Sequence, residues 1–365
     1  MVRTEVSTGF QVGRYALGKG SVKKFPELLR KVPMSSTGNL IVFVDSFFAS
    51  NEELLGNFDL RERDEVIVVE SSPEPATTRV DEIVNSIRQK HAELPRALVG
   101  FGGGATLDTA KAVSNLLTNP GKAEDYQGWD LLTERGIPKI GIPTLPGTGA
   151  EASKTCVLTN PATGLKLGMN SEYSLFDLVI LDVELTETVP KELLFFGSSD
   201  SFFHSIEILA GSNRTAIADA YAQQALNLLA CVYDSDDITG EDNRESLMVA
   251  SFLSGSALAN GIVGLIHPFS AGLSAVLGIP HTVANCIVMR GMEPYYGEQY
   301  RIFWDWVGRH EIMIPAGLCA NLSDFQFKKL YESTIVHSKP LENQLGVFFH
   351  AELTPAKVRQ IFESL

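Results

Sequence analysis

Four side chains in the second half of the sequence are of types that bind a transition-metal ion. Asp200 and His204 are spaced i and i+4, so a helix would place both on one face within reach of a single ion, with Glu207 one turn further along. His267 and His281 are fourteen residues apart, in a stretch from 246 to 289 without a charged residue. The four could meet only if the chain bends between the two later histidines.

Such a bend is expected because three helix-disfavouring residues separate His267 from His281: Gly272, Gly278 and Pro280. A single buried histidine is more often a hydrogen-bonded core residue than a ligand. Two of them in an uncharged interior, downstream of an Asp-x3-His pair, favour a metal site. Three imidazoles and one carboxylate suit Zn²⁺ or Fe²⁺ and argue against Ca²⁺ or Mg²⁺, but they do not choose between the first two.

Two glycine-containing loops could hold a dinucleotide. In FGGGATLDTAK, from Phe101 to Lys111, consecutive glycines would let the backbone approach a pyrophosphate at the start of a helix. The alternative is a plain tight turn, with Asp108 and Lys111 as a solvated pair. The motif is neither GxGxxG nor a P-loop.

The second loop, PTLPGTGAEA from Pro143 to Ala152, offers the hydroxyls of Thr144 and Thr148 to a phosphate or a ring amide. Alone it could be any Pro/Gly loop. Asp45, which ends the run IVFVD, could accept a hydrogen bond from an adenosine ribose 2′-hydroxyl and repel a 2′-phosphate, or simply cap the next turn. Together the three features favour a nicotinamide cofactor, NAD over NADP.

The elements that would position these residues divide the chain into two parts. Short β-branched runs alternate with helical patterns in the first part, which predicts right-handed βαβ units and a doubly wound sheet. The strands are predicted at 40–45, 65–70, 96–101, 139–143 and 178–182, with helices at 26–31, 77–92 and 106–118. Later segments read as helices, including 198–210, 217–233 and 245–258. The predicted fold is therefore an α/β dinucleotide-binding domain (1–188) and an all-helical metal-binding domain (189–365).

Composition excludes several classes of protein. The 365 residues carry a net charge of −14, which disfavours nucleic acid and anionic lipid as partners. Four cysteines without CxxC spacing predict no disulfide framework and fit a reducing cytoplasm. Residues 1–21 show no export signal. The uncharged stretch from 246 to 289 contains many polar groups and glycines, so it is interpreted as the interior of the helical domain and not as a membrane span.

The remaining candidates for chemistry are weak. No cysteine has a readable Cys-His-Asn context, and GSSDS at 197–201 lacks the GxSxG pattern of serine hydrolases. The other four histidines lie near charged or loop sequence and are interpreted as surface residues: His91, His310, His337 and His350.

Taken in order, these motifs resemble the iron-containing (group III) alcohol dehydrogenase family, within the dehydroquinate synthase-like fold. GGGxxxDxAK is matched at 102–111, PTxxGTGxE at 143–151, DxxxH at 200–204, and the spaced histidine pair at 267 and 281, followed by VAN at 283–285. The resemblance covers about residues 10 to 310.

The resemblance implies NAD(P) in a cleft between the domains and a divalent ion held by the Asp200 and three-histidine set. It also implies that the following residues line the cofactor: Asp45, Gly103, Gly104, Thr144, Thr148 and Lys166. Glu74 stands where the family often has Asn. Ala271 replaces the second histidine of an HxxxHP pattern, so a substrate hydroxyl or a water chain must carry the proton that this imidazole would carry.

HPFSAGLS, with Ala271, is similar to sugar-oxidising branches of the family. The similarity implies that the substrate is a sugar acid whose hydroxyl is oxidised. The first candidate is 3-deoxy-D-manno-octulosonate (Kdo), oxidised at its C8 hydroxyl. A PLP-dependent aminotransferase would then consume the aldehyde that forms. An acidic chain must supply a local positive group for such a substrate, and the sequence does not identify it. Family precedent favours a homodimer.

Three other functions stay open. The first is a general NAD(P)-dependent primary alcohol dehydrogenase. The second is a lyase like dehydroquinate synthase, against which the absence of a clear basic cluster for a phosphorylated substrate argues. The third is a non-catalytic sugar- or metal-binding protein.

Overall fold

The computed structural model describes residues 8–34, 36–70 and 74–365. The expectation of no export signal at residues 1–21 falls partly on residues 1–7, which lie outside these ranges. The first element begins at Tyr15 and the last ends at Glu363, with nine strands and fourteen α-helices among the described residues.

The main sheet has six parallel strands in the order β1-β9-β6-β4-β2-β3. Their bounds are β1 Tyr15–Leu17, β2 Leu40–Asp45, β3 Glu65–Val69, β4 Ala97–Gly102, β6 Lys139–Pro143 and β9 Leu178–Leu181. The side chains of β2, β4, β6 and β9 are buried throughout, which explains their continuous apolar sequence. The five predicted strands are confirmed, and β1 is an edge strand that the sequence analysis missed.

A second, three-stranded sheet was also not predicted. It consists of β5 Gly128–Trp129, β7 Thr155–Asn160 and β8 Leu165–Asn170, in the order β5-β8-β7. Strands β7 and β8 form an antiparallel hairpin whose side chains largely alternate between buried and partly exposed. This sheet supplies one wall of the site described below.

Helices surround the main sheet and then form the whole second part. In the first part these are α1 Phe25–Leu29, α2 Glu52–Gly56, α3 Thr77–Lys90 and α4 Gly104–Thr118. In the second part they are α5 Lys191–Ala210, α6 Ala216–Tyr233, α7 Glu241–Ala259, α8 Ile266–Leu277, α9 His281–Val288, α10 Glu293–Arg309, α11 Asp324–Ile335, α12 Ser338–Leu345, α13 Phe349–Glu352 and α14 Pro355–Glu363. The predicted fold class is confirmed. The boundary at residue 188 falls between β9 and α5 and stays a prediction.

The uncharged stretch from 246 to 289 lies in the helical core, as expected. Leu247, Phe269, Leu273 and Ile287 are buried in one apolar cluster with side chains of α5, α6 and α10. None of the described helices is both long and apolar enough to cross a bilayer. All four cysteines are free.

The α/β part and the helical part of the chain contact each other at two places where their backbones lie very close together. Gly147, in the loop after β6, has a φ of 143°, and a Cβ built on it would lie 1.9 Å from the carbonyl oxygen of Gly197 on α5. Gly149, with a φ of 61°, approaches Gly255 on α7 so closely that its Cβ would lie 2.6 Å from that residue's Cα. Only glycine fits at these crossings, which bring the predicted second cofactor loop against α7 and against α5, the helix that carries Asp200 and His204.

Candidate metal centre and cofactor cleft

The four predicted metal-binding side chains meet around the carboxylate of Asp200. His267 Nε2 lies 3.2 Å from Asp200 Oδ1, and His204 Nε2 lies 3.8 Å from the same oxygen. His281 Nε2 lies 3.8 Å from Asp200 Oδ2. Ligand atoms of Asp200, His267 and His281 all lie within 4.8 Å of one another. His204 is outside that tighter set, but its ring stacks on the His267 ring with centroids 4.5 Å apart.

Local sequence explains how the three helices converge. Asp200 and His204 lie one turn apart in α5, as their spacing predicts. His267 lies in the first turn of α8, and His281 begins α9. The bend between them forms at Gly278, which ends α8 in a left-handed conformation with a φ of 67°, and at Pro280, which precedes α9. Gly272, predicted to interrupt the helix, instead lies inside α8.

A second carboxylate orients one of the imidazoles. Glu207 is fully buried on α5 and contacts His267 Nδ1, while its other oxygen accepts a hydrogen bond from the backbone N–H of Ile266. The hydroxyl of Tyr296 donates to the same oxygen at 3.4 Å. The Nδ1 side of His267 is therefore engaged, and its Nε2 faces Asp200.

Charges in this buried cluster are strongly coupled. Burial alone would raise the pKa of Asp200, but the surrounding imidazoles hold it well below its usual range. Burial lowers the pKa of His204 to about 4 and that of His281 well below its usual value, so both are neutral near pH 7. Burial would also lower the pKa of His267, but Glu207 and Asp200 outweigh it and raise the value to about 10.

The donor chemistry of the cluster fits a divalent cation. Asp200 Oδ2 is buried and receives no hydrogen bond from any described residue, although Asn285 donates to the other oxygen, Oδ1, at 2.7 Å. A buried carboxylate oxygen without a donor is costly unless a cation faces it. Nitrogen donors from three imidazoles beside that oxygen form the mixed set expected for iron or zinc.

The cluster forms one side of a cavity of about 410 Å³ between the two parts of the chain. The opposite wall comes from the start of α4, the loop after β6, and the small sheet. Three of the six predicted cofactor residues line this cavity: Gly104, Thr148 and Lys166. The other three are not among its lining residues: Asp45, Gly103 and Thr144.

Each of those three lies next to the lining and has a local role. Asp45 Oδ1 accepts a hydrogen bond from Phe47 N at 3.0 Å, so it caps the turn after β2, the alternative that its position allowed. Gly103 is the residue before α4, and a Cβ on it would meet nothing within 4 Å. The amide of Thr144 donates to the carbonyl of Gly102 at 3.1 Å, which ties the ends of β4 and β6 together. A cofactor contact by these residues stays a prediction.

The alternative interpretation of Asp108 and Lys111 as a solvated pair is wrong. Lys111 is fully buried, and its Nζ donates to the carbonyls of Ser153 and Thr155, each at 2.8 Å. Asp108 Oδ2 accepts from Val157 N at 2.9 Å. Both side chains therefore fix the start of β7 beside α4, and they position the wall of the cavity.

Lys166 has a defined partner on the cavity wall. Its Nζ lies 2.6 Å from the carboxylate of Glu74. Both residues line the cavity. The ammonium of Lys166 is thus largely neutralised before any ligand binds.

Of the four histidines interpreted as surface residues, one is buried and another lines the cavity. His310 is 2% exposed, and its Nε2 lies 2.8 Å from the carbonyl oxygen of Tyr233. His337 lines the cavity just before α12. Burial lowers the pKa of His337 to about 4, and the nearby charges of Lys166 and His267 act in the same direction. Hydrophobic periodicity could not identify His337, because it lies in a connection between helices.

Comparisons with known proteins identify the family of the chain. The model of the iron-containing alcohol dehydrogenase family matches residues 13–183, and the model of the C-terminal part of the same family matches residues 196–304. The chain therefore belongs to the iron-containing alcohol dehydrogenase family. Membership identifies it as an oxidoreductase acting on CH–OH groups, with NAD and iron or another divalent ion as cofactors.

Particular relatives have different substrates in their names. The NAD-dependent methanol dehydrogenase of Bacillus methanolicus is 31% identical over 75% of this chain and 71% of its own. The sulfoacetaldehyde reductase of Bilophila wadsworthia is 34% identical over 60% of this chain, and the match spans 56% of that protein. The solved structure of a 1,3-propanediol oxidoreductase has a TM-score of 0.84 at 20% identity, over 99% of this chain and 100% of its own, which shows the shared fold.

Proposed function

We propose that this chain is an NAD-linked, metal-dependent dehydrogenase of small polar alcohols, or a reductase of the corresponding aldehydes. One observation carries the proposal: Asp200, His204, His267 and His281 line the same cavity as Gly104 and Thr148 of the two glycine-containing loops. A metal centre and a dinucleotide site that share one cavity are what hydride transfer from an alcohol requires.

The roles of the chain's own residues follow from where they lie. Asp200 and the three imidazoles would hold the divalent ion, and Glu207 keeps His267 oriented towards Asp200. The amino end of α4, beginning at Gly104, presents unpaired backbone N–H groups to the cavity and would bind the pyrophosphate. When bound, the ion supplies Lewis-acid polarisation of the alcohol oxygen, and NAD supplies the hydride acceptor.

His337 provides an imidazole that the motif at Ala271 lacks. Both residues line the cavity, and burial keeps the His337 ring neutral near pH 7. A neutral imidazole has one donor and one acceptor nitrogen, so it can bind a substrate hydroxyl and orient it. We assign this positioning role to His337. The proton would be carried by substrate hydroxyls or water, as expected from the sequence.

For the particular substrate we propose a sugar acid, with the C8 hydroxyl of Kdo first, ahead of a simple primary alcohol. The sugar-like HPFSAGLS segment, with Ala271 on the cavity, supports this choice. A relative named for sulfoacetaldehyde, itself an anion, supports a charged substrate. The product aldehyde would then pass to a PLP-dependent aminotransferase. We further propose a homodimer that works in the cytoplasm, where four free thiols are stable.

The proposal is tested by anaerobic reconstitution of the whole protein with Fe²⁺ or Zn²⁺. The reconstituted protein is mixed with NAD and with Kdo, other sugar acids, and simple alcohols, and NADH absorbance is followed. Metal-dependent NADH formation is expected, with Kdo turned over best. Net NADH release also excludes a lyase that regenerates NAD within each cycle. If no alcohol yields NADH and no aldehyde consumes it, the chain is not a dehydrogenase of these compounds.

A further inference from the structure

Two lysines on opposite walls of the cavity are not used by the metal centre. Lys154 lies just before β7, on the wall formed by the first part of the chain. Lys339 lies in the first turn of α12, on the helical wall, and is exposed at the mouth of the cavity. Both therefore project a positive charge towards a ligand that enters between the two parts.

Neither lysine has an acidic partner in the part of the chain that the structure describes. Among the described residues no carboxylate lies within 4.0 Å of either ammonium, whereas Lys166 on the same cavity is paired with Glu74 at 2.6 Å. Asp130 and Glu172 act on Lys154 only from a greater distance. Two unpaired cations in one cavity are unusual for a chain with a net charge of −14.

Aromatic rings hold both side chains in place. Lys154 Nζ lies 4.7 Å from the ring centroid of Phe10, and Lys339 Nζ lies 4.3 Å from that of Trp129. Cation–π contact restrains the long side chains without removing their charge, so less entropy is lost when an anion binds. Burial lowers the pKa of Lys154; Asp130 opposes this, and the positive charge of Lys339 adds to it.

The two lysines lie in the same cavity as the metal centre. His337, which lines the same cavity as His267 and His281, comes only two residues before Lys339. Lys154 and Lys339 line that cavity too. A ligand that fills it can therefore place a hydroxyl at the metal centre and an anionic group, several atoms away, at the lysines.

We propose that Lys154 and Lys339 form a carboxylate-binding subsite that selects hydroxy-acid substrates over neutral alcohols. The proposal rests on the proposed dehydrogenase function and names the local positive group that an acidic substrate needs. The cofactor has its own site for negative charge at the amino end of α4, which leaves the lysine pair for the substrate.

The test compares two substrates of equal chain length, 6-hydroxyhexanoate and 1,6-hexanediol. The variants are Lys154→Met, Lys339→Met and the double variant, since methionine keeps the apolar stem and removes the charge. In the double variant we expect kcat/KM for 6-hydroxyhexanoate to fall at least about tenfold, mostly through KM, and kcat/KM for the diol to stay within about twofold. Lys357→Met, which removes an exposed charge from α14, is the matched control.

Affinity for NAD, measured by fluorescence titration of each variant, separates the substrate from the cofactor. Unchanged NAD affinity, together with recovery of hydroxy-acid selectivity in Lys154→Arg/Lys339→Arg, is expected. Equal losses on both substrates, or a loss of NAD affinity, would overturn the subsite. If the wild-type protein forms NADH from no alcohol or hydroxy acid, Kdo included, and consumes it with no aldehyde, the dehydrogenase proposal fails by itself. Binding of 6-hydroxyhexanoate, followed by tryptophan fluorescence and compared with the double Met variant, then still decides whether the lysines hold a carboxylate.

Discussion

Glu207 holds His267 from the side opposite Asp200. Its carboxylate is 0% exposed and contacts His267 Nδ1, while His267 Nε2 faces Asp200 Oδ1 at 3.2 Å. Glu207 thus fixes both the tautomer and the direction of one imidazole in the cluster. Glu207 lies three residues after His204 on the same helix. Helix α5 therefore carries both the carboxylate of Asp200, around which the imidazoles meet, and the carboxylate of Glu207, which contacts the far side of His267.

Glu207→Gln should weaken metal binding without removing any ligand. A neutral amide orients the imidazole less well, and loss of such a partner typically costs about 10- to 100-fold in metal affinity. The measurement is a Zn²⁺ titration against a chelator of known affinity. Glu298→Gln, at an exposed position on α10, is the control. Wild-type affinity in Glu207→Gln would show that Glu207 only fills space.

His267→Ala should abolish NAD-linked activity and lower bound metal below one ion per chain, because it removes the imidazole nearest to Asp200. Metal content is measured on purified, reconstituted protein by elemental analysis. The matched control is His350→Ala, which removes an exposed imidazole from α13. A fully metallated and active His267→Ala protein would remove this residue from the ligand set.

The sequence predicted those parts of the site that depend on local spacing. Asp200 and His204 are one helical turn apart, and the uncharged surroundings of His267 and His281 pointed to a buried pair. The β7–β8 hairpin escaped notice because its strands are only half buried and carry polar residues.

The lysine pair and His337 could not be predicted for a different reason. Lys154 and Lys339 are separated by more than half the chain, and only the packing of α12 against the cavity brings them together. Hydrophobic periodicity does not predict contacts between residues so far apart in the sequence. His337 likewise belongs to a connection between two helices, where a surface location is the usual expectation.

Lys139→Met should stabilise the protein. Lys139 is 1% exposed on β6, and burial lowers its pKa from 10.5 to about 8, while Asp177 only partly opposes this. Near pH 7 the folded chain must therefore keep a charged ammonium in an apolar setting, at a cost of about 3 kcal/mol. Removing the charge should recover about 2 kcal/mol or more of unfolding free energy, measured by urea denaturation.

The same lysine predicts a pH dependence. Between pH 8 and 10.5 the unfolded chain keeps the proton on Lys139 while the folded chain loses it, so the free energy of unfolding rises with pH across this window. Lys139→Met should lack that part of the rise, whereas Lys24→Met, at an exposed lysine, should retain it. Parallel pH profiles for the Lys139→Met and wild-type proteins would contradict a buried ammonium.

Gly147→Ala should disturb both stability and the site. The new Cβ would lie 1.9 Å from Gly197 O, and an alanine would also be strained at a φ of 143°. We expect a loss of more than about 2 kcal/mol of unfolding free energy. Since Gly197 precedes Asp200 by three residues on α5, moving this contact also shifts Asp200 relative to Thr148, so kcat should fall with it.

Gly255→Ala probes the second crossing from the opposite side, because its Cβ would lie 2.3 Å from Gly149 O. It should lower the melting temperature as Gly147→Ala does. Gly308→Ala is the control: it lies in α10, and its Cβ would meet nothing within 4 Å. In that open helical position alanine should raise stability by about 0.5–1 kcal/mol. If all three substitutions had the same effect, the two close backbone approaches would not be what fixes the loop after β6 against α5 and α7.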